Sequence, residues 1–166
     1  DLQRDVKHIQ ALDVIKPAVM NSNVNLIDEA SDEIFEVADQ AALHAAVERG
    51  EWPEGIPVIY STYSQFNKDK SESKRSQWLH SAINDDVLIV ADEVHNAASG
   101  DSNTSVNIAT AIENAGSVVM SSATFAGSAK MMAFFERVFP PGLSGEEIAA
   151  MMRKGGEPFQ EVVSSM

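Results

Sequence analysis

The chain has 166 residues, the usual size of one domain, and its 44% hydrophobic and 22% charged composition excludes a disordered polymer. It has no cysteine, which excludes disulfides and thiolate metal sites, and no apolar run approaches the roughly 20 residues a membrane helix needs. With 12 Lys and Arg against 25 Asp and Glu, a formal net charge of −13, the chain alone is expected to bind nucleic acid weakly or not at all.

The opening "DLQRDVKHIQ" places Leu2, Val6 and Ile9 at helical spacing and carries no initiator Met, basic region or apolar leader, so it reads as part of a longer polypeptide. A cytoplasmic setting is expected, or a nuclear one in a eukaryote. "DVIKPAVM" (13–20) predicts extended chain, because Pro17 excludes a helix interior and Val14, Ile15 and Val19 favour a strand. Residues 21–36 are polar and irregular. Asp39 predicts an N-cap for a helix over 40–49, and Gly50 a left-handed stop.

"IPVIYSTY" (56–63) predicts a strand, and "NKDKSESKR" (67–75) is the chain's cationic concentration, with Asp69 and Glu72 interrupting Lys68, Lys70, Lys74 and Arg75. It reads as a solvated loop. A helix over 74–83 leads to "VLIVADE" (87–93), apolar on both faces as a buried parallel strand is. Next comes a helix over 105–116 with Val106, Ile108, Ala109 and Ile112 inward, and Gly116 ends it. The strand "SVVMSS" (117–122) and the helix "SAKMMAFFERVF" (128–139) follow, the latter stopped by Pro140-Pro141-Gly142. This alternation from residue 56 predicts an α/β fold of βαβ units, a parallel sheet flanked by helices.

Ligands of open parallel sheets bind at the carboxyl ends of the strands, where Asp92 and Glu93 fall. Adjacent carboxylates at the end of a buried strand cost desolvation energy unless a positive partner meets them, and Mg²⁺ with nucleotide phosphates is the commonest such partner in this architecture. The next strand ends in Ser122-Ala123-Thr124, hydroxyl residues at the corresponding edge. His8, His44 and His80 have no second ligand at i+4, and Trp52 and Trp78 read as core residues sooner than as base-stacking ones.

Together these residues resemble the first ATPase lobe of superfamily 2 helicases and translocases, the DEAD/DExH group, and within it most nearly the strawberry notch type. "VLIVADEVH" is similar to motif II and "VVMSSAT" to the S-A-T motif, while Asp1-Leu2, "TYS" and Gly156-Glu157-Pro158-Phe159 match the strawberry notch pattern at the start, middle and end of the chain. The resemblance implies a RecA-like lobe of the P-loop NTPase class, acting as an ATP- and Mg²⁺-dependent hydrolase on DNA or RNA. It implies that Asp92 holds Mg²⁺, that Glu93 activates the attacking water, and that His95, Ser122 and Thr124 link nucleotide state to the nucleic-acid face. Ser61 and Thr62 would contact phosphates.

No G-x-x-x-x-G-K-[ST] occurs in the chain. Residues 1–166 are therefore expected to be a fragment of one RecA-like lobe, incomplete because the phosphate-loop strand is absent and inactive by itself, whose partners are the phosphate-loop segment, a second ATPase lobe and nucleic acid. Self-association through the open strand edge is expected of it. The other reading is a degenerate acidic lobe that serves as a protein-interaction scaffold.

Overall fold

The computed structural model of the protein describes residues 16–21, 27–28, 33–34, 38–98, 102–122, 134–136, 139, 142 and 144–154. The opening helix, Ala123, Thr124, most of the helix expected over 128–139 and the 156–159 turn lie outside the described residues. The chain divides into two compact units, Asp1–Ile83 and Asn84–Met166. Both follow α/β logic, with small parallel sheets and helices beside them.

In the first unit, strand β1 (Ala18–Met20) pairs in parallel with β4 (Ile59–Ser61), Ala18 opposite Ile59 and Met20 opposite Ser61. Pro17 immediately precedes β1, a position where the missing N–H breaks no ladder, and its carbonyl accepts from Ala38 N at 2.9 Å. All three residues of β1 are buried. Residues 21–36, which carry no strand signal in the sequence, contain a two-residue antiparallel pair, β2 (Ile27–Asp28) with β3 (Glu33–Ile34). Such short strands are fixed by their pairing rather than by periodicity.

Helix α1 (Gln40–Arg49) has the caps the sequence predicts. The Asp39 carboxylate accepts from Ala41 N at 2.8 Å, and Gly50 closes the helix at φ 73°. Leu43, Ala46 and Val47 form its buried stripe, and the helix packs on β1 and on α2 (Lys74–Ala82). Burying a Leu or Val side chain contributes about 1.5–3 kcal/mol, so this stripe does more for α1 than propensity does. Trp78 belongs to this core, and Trp52 lies half-buried against it. Trp78 Nε1 donates to Glu51 O and Trp52 Nε1 to Ile56 O, each at 2.7 Å, with the rings 5.8 Å apart and tilted by 32°. The two indoles thus fasten the 51–56 loop, and Trp78, 3% exposed, presents no face for stacking a base.

In the second unit, β5 (Leu88–Ala91) and β6 (Ser117–Met120) run parallel, Leu88 opposite Ser117 and Ala91 opposite Met120. Helix α3 (Asn103–Asn114) connects them, its Ser102 N-cap accepting from Ser105 N at 3.2 Å. Its buried residues are Ser105, Asn107, Ile108, Ala111 and Ile112, so Ile108 and Ile112 face inward as predicted, whereas Ala109 is half-buried and Val106 is exposed. Gly116 lies beyond the helix end and serves a close approach instead: a Cβ there would stand 1.8 Å from Asp85 O. Gly116 N donates to Asn84 O and Ser117 N to Val87 O, laying the 84–87 turn against the entry to β6.

Helix α4 (Gly145–Lys154) begins with a reciprocal cap in which Ser144 N donates to Glu147 Oε2 at 2.9 Å and Glu147 N to Ser144 Oγ at 3.2 Å. The backbone N–H of Ser144 and then its hydroxyl, both donating to Oε2, hold the Glu147 carboxyl below its ordinary range.

The expectation that β5 is buried on both faces is corrected. Alternation puts Leu88, Val90, Ser117 and Val119 on one face, and there Leu88, Val90 and Val119 are 58%, 43% and 52% exposed. The opposite face holds Ile89, Ala91, Val118 and Met120, of which Ala91 is buried and the others half-buried. An apolar composition on both faces records what the strand suits, and this chain covers one of them.

Candidate functional site

The β5 backbone ends at Ala91, and the next two residues form a turn that enters a 3-10 segment, Val94–Asn96. What holds this turn is backbone and one side chain. Ser121 N donates to Ala91 O at 2.9 Å and Val94 N to Ser121 O at 3.0 Å, carrying the β5–β6 pairing past the strand ends. Val94 is fully buried and anchors the turn from beneath, with Ala97 and Ala98 buried behind it.

Within that frame Asp92 Oδ1 accepts from Glu93 N at 3.0 Å. Glu93 adopts φ 47°, ψ 46°, the sole positive φ outside glycine among the described residues. A side chain with a Cβ is strained there by about 1 kcal/mol or more relative to Gly. The left-handed step reverses the chain within one residue, so that Glu93 Oε2 comes 3.1 Å from His95 Nδ1 while that same nitrogen lies 2.9 Å from Ser122 Oγ. A bare Nδ1 would oppose the carboxylate lone pair to lone pair, whereas a protonated Nδ1 donates toward both oxygens. The geometry therefore selects the Nδ1–H form.

Asp92, Glu93, His95 and Ser122 are thus brought to one rim, the carboxyl ends of adjacent parallel strands. Thr124 lies outside the described residues. Asp92 and Glu93 are exposed, which corrects the premise that their burial demands a cation: in this chain water meets them. Their chemistry still suits one. Mg²⁺ takes one or two carboxylates and fills the rest of its octahedron with phosphate oxygens and water, so a pair on an open rim fits the metal. Among the described residues no group of three or more His, Asp and Glu is placed to hold a metal by itself. The triphosphate finds no counterpart here, since the chain lacks a glycine-rich loop ending in Gly-Lys and a hydroxyl residue.

Ser61 and Thr62 belong to the other unit and sit at the carboxyl edge of β4. Ser61 Oγ donates to Met20 O at 3.3 Å, and Thr62 Oγ1 is 2.9 Å from Ser64 Oγ. Sequence reasoning missed the residues that support these positions. Val94 and Ser121 had no signal beyond being part of an apolar strand-turn, and Gln65, which precedes the segment 67–75 that read as a solvated loop, accepts at Oε1 from Nη1 of Arg75, the last residue of that segment and here in the first turn of α2.

No described helix is long and apolar enough to cross a membrane. The chain matches no protein-family model, no curated protein and no solved structure.

Proposed function

We propose that the chain is part of the first, RecA-like lobe of a DExH-type helicase or translocase that couples Mg-ATP hydrolysis to the remodelling of DNA or RNA. The observation that supports it most is the tie from Glu93 through His95 to Ser122 across the ends of adjacent parallel strands. Bound Mg²⁺ and triphosphate supply the electrophile and the charge neutralisation for in-line attack by water. Asp92 would hold the metal. Glu93 accepts the proton of the attacking water, and the Nδ1–H of His95 fixes the orientation of that carboxylate. Because the same N–H reaches Ser122, a shift of the carboxylate is felt at the end of β6, which is how this chain would pass nucleotide state along the sheet.

In this reading the phosphate loop comes from another segment, and the uncovered apolar face formed by Leu88, Val90 and Val119 is where part of it packs. That same face favours the second reading, a scaffold that binds a partner protein, and metal chemistry separates the two. In a polypeptide that joins a phosphate-loop segment to this chain, Asp92→Ala is expected to abolish nucleic-acid-stimulated ATP hydrolysis. Glu93→Gln should lower turnover by about 10² or more while nucleotide stays bound. Unchanged turnover in both variants sinks the motor reading. The 166-residue chain alone is expected to hydrolyse ATP at the solvent background.

A further inference from the structure

From Asn84 to Ser122, through β5, α3 and β6, the sequence has six acids, Asp85, Asp86, Asp92, Glu93, Asp101 and Glu113, and no Lys or Arg. Two of them stand in the turn before β5 and two directly after its end, and those four are exposed. The uncovered face of the strand pair lies between them. Val90 and Val119 are opposite each other across the strands, and Leu88 stands two residues back from Val90, about 7 Å along β5. Of the four exposed large hydrophobics among the described residues, these are three, and the fourth is Val106 on α3. Apolar side chains gathered on one face and rimmed by polar groups mark a contact surface.

Geometry narrows the occupant. Parallel strands are joined by a crossover, and α3 makes it once, on one side of the pair, so the other side needs a second element. The ridge of Leu88, Val90 and Val119 is little more than one helical turn long and two strands wide, which an α-helix about 10 Å across covers with an apolar stripe at i, i+3, i+4 and i+7. Charge narrows it further. A second copy of this chain would bring the same acids to the contact, a repulsion that salt relieves, whereas a helix with Lys or Arg beside its stripe is attracted, and salt weakens that attraction.

We propose that this face takes a cationic amphipathic helix, one that belongs to the segment carrying the phosphate loop. That source rests on the function proposed above; the apolar stripe and the cationic flank rest on the face and its rim. Asp92 and Glu93 serve the metal and the attacking water in that reading, so Asp85 and Asp86 are the acids left to meet the helix.

The test is anisotropy of three fluorescein-labelled peptides of about 14 residues, long enough for the i to i+7 stripe, with the 166-residue chain, without nucleotide and over a salt series. One is a Leu/Lys peptide with Leu at helical spacing, one has Glu for each Lys, and one is the Leu/Lys composition scrambled to leave no stripe. The first should bind at least about tenfold tighter than either of the others, and more weakly as salt rises. Leu88→Gln with Val119→Thr should weaken its binding about tenfold. Asp85→Asn with Asp86→Asn should weaken it about threefold at low salt and flatten the salt dependence, while Glu48→Gln with Glu54→Gln, an equal charge change in the other unit, leaves it as it is. The proposal is overturned by equal binding of the scrambled peptide, by wild-type binding in the folded Leu88→Gln, Val119→Thr protein, by copies that associate at low salt more tightly than the Leu/Lys peptide binds, or by no binding at the lowest salt. In a polypeptide that joins the phosphate-loop segment to this chain the face is filled and the peptide should no longer bind; undiminished binding there overturns the assignment to that segment. No ATP is present, so an inert Asp92-Glu93 pair sinks the motor reading and leaves the peptide results standing, and a peptide that fails to bind leaves the hydrolysis results standing.

Discussion

His95 Nδ1 lies 2.9 Å from Ser122 Oγ, joining the turn after β5 to the first residues beyond β6. The contact is half-exposed and between two short side chains, so its weight is in orientation more than in stability. With Glu93 Oε2 at 3.1 Å from the same nitrogen, the ring is held as Nδ1–H and its other nitrogen faces away from both oxygens. Nitrogen-15 NMR of the neutral His95 ring should show the Nδ1–H tautomer. Glu93→Gln should shift the population toward Nε2–H, and Ser122→Ala should leave the tautomer unchanged while costing no more than about 1 kcal/mol of stability.

Glu93 occupies a backbone conformation that suits glycine. Glu93→Gly is therefore expected to hold or raise thermal stability, by up to about 1 kcal/mol, and Glu93→Val to lower it by more, since a β-branched side chain tolerates positive φ worst. Chemical denaturation of the three proteins decides it; equal losses in both variants would show that the side chain's tie to His95 outweighs the backbone.

The Tyr60 hydroxyl is buried without a hydrogen-bond partner among the described residues. Burial pushes its pKa above the ordinary phenol value. Here the folded pKa is the raised one. The stability linked to it is thus full below pH 10 and is lost as pH climbs from the unfolded value through the folded one. Tyr60→Phe removes an unpaired polar atom and should raise stability by about 1 kcal/mol near neutral pH. It should also flatten the alkaline limb of the stability profile. A destabilised Tyr60→Phe would mean that the hydroxyl has a partner.

The uncovered β5–β6 face makes a different demand. Leu88, Val90 and Val119 are roughly half exposed, so about half of their area stays in water when the chain is a monomer. The doubly substituted Leu88→Gln, Val119→Thr should cost under about 1 kcal/mol and reduce concentration-dependent association in sedimentation velocity. Wild-type chain that stays monomeric over a wide concentration range would remove this face, and the open edges beside it, as contacts between copies.

Local signals were legible where one residue type had one physical job. Asp39 and Gly50 bound α1 to the residue, and Ser61, Asp92 and Ser122 fall at strand ends as apolar runs followed by polar residues require. The strand pairings were legible only where a βαβ unit implies them: β5 with β6 follows from α3 between them, but β1 with β4 joins residues about forty positions apart with no pattern to announce it. Val106 was misassigned because both i, i+3, i+4 stripes of α3 contain aliphatic residues, and the choice between them is made by what packs there. The burial of β5 was over-read for the same reason. At the site, residue types pointed to the rim, while the left-handed step at Glu93 that aims one carboxylate at His95 has no composition signature.

Gly116 extends the reach of the rim to the far end of the strands. The backbone of the 84–87 turn comes so near that only a hydrogen can sit between, which fixes where β6 starts against β5. From there the ladder counts off its rungs like a ruler, Ser117 on Leu88 through Met120 on Ala91, and residue 122 arrives beside His95 because the zero mark was set six residues earlier. A shift of one rung, about 3.3 Å, would hand the imidazole a different neighbour.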